Sequence, residues 1–159
     1  MKKLAVVFLL LISFKSNSQS KLETEDWIIS KLEYYSFQNP PHTIVKVKII
    51  NGQIIFYNSY GWFQSIYLKD INQVLVEHKD SNENVYGVTL FCKNKNSCVT
   101  DGEYDGNILS PLKEKNNRMM FIFLREEFGQ KDLPKRMEKA ILHLIKLYGG
   151  NPKVYKETF

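Results

Sequence analysis

Residues 42–59 read HTIVKVKIINGQIIFYNS, and the pair Asn51-Gly52 at the centre decides how the rest of the chain is read. Asn and Gly accept the positive φ that a two-residue hairpin turn demands. β-Branched residues flank the pair on both sides, so two strands meeting in a tight hairpin are expected. The same period continues downstream: QSIYL (64–68), INQVLVEH (71–78), NVYGVTLFC (84–92), SCVTDG (97–102) and RMMFIFL (118–124) are separated by Gly, Asn, Asp and Ser. Short strands at that spacing predict a compact antiparallel sandwich or barrel of about seven strands. Residues 103–117 read as its one long loop.

Helical patterns flank the strands. In TEDWIISKLEYYS, Thr24 can cap a helix and Glu25 and Asp26 suit its first turn, while Trp27, Ile28, Leu32 and Tyr35 form an apolar stripe. The prolines of NPPH close it, which predicts a helix over 24–35. Near the other end, DLPKRMEKAILHLIKLYGGNP (132–152) opens with Asp132 as a candidate cap and Pro134 in the first turn, and stops at Gly149-Gly150. Leu133, Met137, Ala140, Ile141, Leu144, Ile145 and Tyr148 recur at steps of three and four, so one broad face should be buried on the sheet. The class is α+β: a helix, about seven antiparallel strands and a closing amphipathic helix.

The chain begins MKKLAVVFLLLISFKSNSQS: two lysines, an apolar run from Leu4 to Phe14, then small polar residues. This is the layout of a secretory signal peptide. Ser16 and Ser18 satisfy the small-residue rule, so cleavage is expected before Gln19, leaving 1–18 as leader and 19–159 as a single domain. The apolar run is about half the roughly 20 residues that a membrane span needs. No cysteine stands near the cut to be acylated, so a lipoprotein is not expected. Lys2, Lys3 and Lys15 depart with the leader, which turns 22 basic against 17 acidic residues into 19 against 17, a mature charge of +2. So slight an excess, on an exported chain, argues against a nucleic-acid partner.

From residues 42 to 148 the element order resembles that of a pleckstrin-homology-like domain, through the IYLKDINQV turn between two strands and the KRMEKAILHLIKLY helix. That resemblance implies two nearly orthogonal sheets in a partly open barrel, plugged at one end by the C-terminal helix. WIISKL (27–32) is also similar to the first helix of a group of small exported bacterial proteins of unknown function. Phosphoinositide-binding members of the pleckstrin-homology group use a basic cluster in the first hairpin. Here that hairpin offers only Lys46 and Lys48, too few to carry the activity over. A lipocalin-like barrel is the alternative architecture.

The two cysteines, Cys92 and Cys98, bracket KNKNS (93–97). They read as a disulfide stapling the hairpin between two consecutive strands, in a compartment where oxidants are available; two inert buried thiols are the alternative. Redox catalysis favours Cys-x-x-Cys at a helix N-terminus, and zinc needs two further ligands. Neither pattern is present. DGEYDGN (101–107) places Asp101, Glu103 and Asp105 at alternating positions before Gly106, like the first half of a calcium loop. The closing acid is missing, because Leu112 stands where a bidentate Glu belongs. A solvated turn is therefore expected, and no metal or other cofactor.

Local catalytic signatures are lacking: there is no Gly-x-Ser-x-Gly and no His-Glu-x-x-His, and His42, His78 and His143 fall on three different elements. Two binding surfaces remain. Tyr57, Tyr60, Trp62 and Phe63 crowd a turn at Gly61, where aromatics can anchor a partner or cover the end of a barrel. Arg136, Lys139, His143 and Lys146 form a basic stripe on the last helix, suited to acidic lipid or glycan or simply to water. The expected function is a non-enzymatic, exported domain binding a protein or peptide, without membrane insertion after cleavage. A small apolar-ligand carrier and a small hydrolase without a local motif are the alternatives.

Overall fold

The computed structural model describes residues 21–37, 43–79, 85–93, 97–106, 108–112 and 117–155. The leader, its cleavage point, His42 and the middle of the KNKNS linker lie outside them. Among the described residues the fold is α+β, with two helices and nine strands in two sheets. The first sheet runs β1 (Ile44–Ile50), β2 (Gln53–Asn58), β3 (Trp62–Tyr67), β6 (Thr100–Asp105), β7 (Ile108–Pro111). The second runs β8 (Met119–Leu124), β5 (Val85–Cys92), β4 (Ile71–Lys79), β9 (Lys153–Val154). Every pairing is antiparallel except β4 with β9. Neither sheet closes into a barrel among these residues.

The seven expected strands are all present, and two more join them. β7 is the larger correction, because Ile108–Pro111 pairs antiparallel with β6 where the sequence reads as a loop; Glu103 pairs with Ser110 and Tyr104 with Leu109. β9 is a two-residue strand beyond the last helix.

Alternation explains the core. β1, β2 and β3 turn Val47, Ile54, Phe56 and Ile66 inward, and β4, β5 and β8 answer with Val74, Val88, Leu90, Met120, Ile122 and Leu124. Burying such side chains is worth roughly 1.5–3 kcal/mol each. The turn between β1 and β2 has the expected form, with φ of 51° at Asn51 and 76° at Gly52.

The first helix, α1, occupies residues 21–35. It is already helical at residue 21, so Thr24 lies inside it and is not its cap. Ile28 and Leu32 are fully buried. The far end of α1 is tied to β8, since the Arg125 N–H donates to the Tyr35 carbonyl (2.8 Å) and the Phe37 N–H to that of Phe123 (3.1 Å). Glu33 reaches across to β1, where its Oε1 accepts the Val47 N–H at 2.7 Å, next to a break in the β1–β2 register.

The closing helix, α2 (Leu133–Leu147), buries Leu133, Met137, Ile141, Leu144 and Ile145. It lies against β4, β9 and the 3-10 turns Leu68–Asp70 and Glu126–Gly129. Pro134 sits in its first turn as expected, but the Asp132 side chain makes no capping bond. Lys131 and Asp132 enter the helix with positive φ, 53° and 58°, unlike the extended backbone from which a capping side chain reaches the first-turn amides.

Candidate functional site

Asn58 builds the aromatic turn. Its Oδ1 accepts the N–H of Tyr60 (2.9 Å) and of Trp62 (3.0 Å), so one side chain fixes the backbone of both aromatic residues. Gly61 supplies the positive φ, 77°, that the reversal needs. The strap continues across strands: the Gly61 carbonyl accepts the Tyr104 N–H (2.7 Å), and the Tyr104 hydroxyl donates to the Asn58 carbonyl (2.9 Å).

This arrangement divides the four expected aromatics. Tyr57 and Phe63 are buried, at 6% and 3% exposure, whereas Tyr60 and Trp62 stand out at 59% and 41%. Tyr57 and Phe63 pair across β2 and β3 and join Ile55, Tyr104 and Leu109 in a second apolar cluster separate from the main core. The Tyr57 ring meets that of Tyr104 edge-on at 4.9 Å. Burial, and secondarily Tyr104, raise the Tyr57 phenol above its ordinary pKa. Gly102 is required here, because a Cβ on it would come within 2.6 Å of the Phe63 ring.

Trp62 borders two hollows. On one side a notch of about 300 Å³ is lined by Tyr60, Gly61, Glu103, Tyr104, Asp105 and Ser110 as well as Trp62. On the other, a cleft of about 310 Å³ opens between the sheets, where Trp62, Phe56 and Ile44 face Phe121 and Phe123 of β8. The pairings Trp62 to Glu103 and Glu103 to Ser110 set these three side chains in a row across β3, β6 and β7. Such neighbours stand about 5 Å apart.

The basic stripe also finds a setting. Arg136, Lys139 and His143 line a groove of about 390 Å³ between α2 and α1, together with Glu23, Thr24 and Trp27. The Arg136 guanidinium lies 5.4 Å from the Trp27 ring centroid, a cation–π contact. Lys146 is exposed further along the helix and does not line the groove. Trp27 engages Arg136, so this face is less bare than the sequence suggests.

Cys92 and Cys98 are bonded, with Cα atoms 5.7 Å apart. The bond does not staple a hairpin, however, because β5 and β6 lie in different sheets. It fastens the crossover between them. The half calcium loop is likewise resolved: Asp101, Glu103 and Asp105 sit at alternate positions of a strand, where neighbours stand nearly 7 Å apart, and do not wrap a centre. Asp101 accepts from Gln64 Nε2 (2.6 Å) and Asn117 Nδ2 (2.8 Å). Among the described residues no three His, Cys, Asp or Glu side chains come together to hold a metal.

His78 lines a further cleft with Tyr86, Glu126, Glu127, Gly129 and Gln130, and among the described residues no Ser, Thr or Cys lines it. His143 makes no hydrogen bond or ion pair among the described residues. Two members of the aromatic site, Glu103 and Asp105, stand in the sequence as acids of an incomplete calcium loop and a solvated turn, not as neighbours of Trp62. Their place beside Trp62 depends on the pairing of β3 with β6, strands separated by two others in the chain. Comparison with known proteins finds no matching family model, no matching curated protein and no matching solved structure.

Proposed function

We propose that the protein is an exported, non-enzymatic binding domain of the pleckstrin-homology-like type, which holds a protein or peptide partner through its aromatic turn. One observation carries the reading: Tyr60 and Trp62 are the exposed pair of a turn whose backbone Asn58 braces at both of their amides. Exposed aromatics on a rigid support are the residues that dominate binding energy at interfaces, and bracing them in advance lowers the entropy lost on association. Two packed sheets with a closing amphipathic helix are in keeping with the fold type. The disulfide accords with an oxidising compartment, and no helix among the described residues is long and apolar enough to cross a membrane.

The interior between the sheets is occupied by Phe56, Ile66, Leu90, Met120 and Ile122, which favours a binding domain over an apolar-ligand carrier. The hydrolase reading draws on His143 beside Glu23 and Thr24; a His143→Ala variant that lost an ester-hydrolysing activity of the parent would support it. For the leading reading, Tyr60→Ala with Trp62→Ala, at unchanged melting temperature, should abolish partner recovery from the envelope of the secreting cell. Equal recovery would overturn it.

A further inference from the structure

The notch beside Trp62 has a chemistry of its own. Glu103 and Asp105 are exposed, and neither carboxylate has a hydrogen-bond or ion-pair partner among the described residues. Among the described residues no Lys, Arg or His lines the notch or the adjoining inter-sheet cleft. This local negative charge belongs to a chain whose residues 19–159 carry a slight positive excess, 19 basic against 17 acidic. Aromatic faces attract cations through the ring quadrupole, Trp most strongly, and carboxylates at the rim add direct ionic and hydrogen-bonding partners. Glu103 is the direct cross-strand neighbour of Trp62, and Asp105 follows on the same face of β6. A cation over the Trp62 ring therefore lies within reach of both.

We infer that the notch takes the cationic side chain of an Arg or Lys in a protein partner, whose neighbouring apolar side chain enters the inter-sheet cleft. The inference rests on the aromatic turn being the binding site, and adds what that site selects. A peptide is the occupant, and not a small free cation, because Trp62 joins the acidic notch to a second hollow where Ile44, Phe56, Phe121 and Phe123 form an apolar wall opposite Asn58, Gln64 and an Asp101 already engaged by Gln64 and Asn117. Two adjoining hollows, one with unpaired carboxylates and one with an apolar wall, on either side of one ring match adjacent residues of a chain.

The test is a random peptide library panned on the chain comprising residues 19–159. Enriched peptides should carry Arg or Lys next to, or one residue from, an aromatic or aliphatic residue. Replacing that Arg by citrulline, or combining Glu103→Gln with Asp105→Asn, should weaken binding at least tenfold, and the loss should shrink at high salt. Enriched peptides without a basic residue, an absence of enrichment by a folded protein, or unchanged affinity in the Glu103→Gln, Asp105→Asn variant would each overturn the inference. So would tetramethylammonium binding more tightly than any basic peptide. If Tyr60→Ala with Trp62→Ala abolishes binding while the carboxylate variant does not, the aromatic site stands and its selectivity for cations falls. If the aromatic variant binds normally, the site itself is misplaced.

Discussion

β2 ends in two turns that look alike in backbone and differ in what meets them. At its start, Gly52 has a φ of 76°; beyond its end, Gly61 has 77°. The Tyr148 ring, at the end of α2, lies over Gly52, with Cδ1 2.7 Å from where a Cβ would be, and the Leu68 N–H donates to the Gly52 carbonyl at 2.8 Å. At Gly61 the nearest atom to such a Cβ is the Tyr104 carbonyl oxygen, at 3.5 Å. One turn is locked under the closing helix, and the other is braced only from within its own sheet. The lock and the disulfide lie toward one end of the five-stranded sheet, since Gln53, next to Gly52, pairs with Tyr67, and Thr100, two residues beyond Cys98, pairs with Ser65 on the same strand. Rigidity gathered at that end leaves the opposite end open to carry exposed aromatics at little cost to stability.

The sharpest way to break the comparison is to put the same methyl group at both turns. Gly61→Ala meets only the strain of a left-handed Ala, about 1 kcal/mol. Gly52→Ala meets that strain and also displaces a ring whose hydroxyl donates to Glu25 Oε1 at 2.8 Å, for a total of about 3 kcal/mol. Denaturant unfolding of the two variants should therefore differ by about 2 kcal/mol. Equal losses would mean that Tyr148 does not lock the turn.

Removing the disulfide with Cys92→Ser and Cys98→Ser should cost about 2 kcal/mol, the chain-entropy value for so short a loop. The wild-type protein in reductant should lose the same amount. Because the bond fastens the crossover at the locked end, the environment of Trp62 at the other end should stay the same, as read by its fluorescence emission maximum in a Trp27→Phe background. A red shift in the variant would show that the two ends are coupled.

Legibility in the sequence follows the same division. Asn51-Gly52 was readable because its signal is local: two residue types that tolerate positive φ between β-branched runs. α2 was readable because its apolar period repeats over four turns. The β6–β7 hairpin was hidden, since Asp101, Glu103 and Asp105 on one face of β6 are polar, the last two exposed, and only Tyr104 and Leu109, on the other face, pack into an apolar cluster. Asp105-Gly106-Asn107 was its one local sign. The aromatic site was half legible: the four rings stood out, but which pair is buried depends on the partnership of Tyr57 and Phe63 with β6 and β7, and the acids beside Trp62 depend on the same long-range pairing. Cys92 and Cys98 were readable as a bond from their spacing and from the compartment that the expected leader implies, whereas the sheets they join were not.

The smallest effect at neutral pH, and the most specific, concerns the lock. The Tyr148 phenol is pushed up to about 12 from 10.0, chiefly by burial and then by its hydrogen bond to Glu25. The Lys21 ammonium lies 3.7 Å from the same ring's centroid. Because the folded pKa is the raised one, the unfolded chain releases this proton first as pH increases. The contribution to stability is thus complete below about pH 10 and fades between 10 and 12. Tyr148→Phe keeps the ring over Gly52 but has no proton to lose, so its stability should decline less steeply than that of the parent across this window. In the parent, absorbance at alkaline pH should resolve a tyrosine titrating near 12 that is missing in the variant. Parallel stability curves for the two proteins would show that the lock depends on ring packing against the glycine and not on the hydroxyl bond.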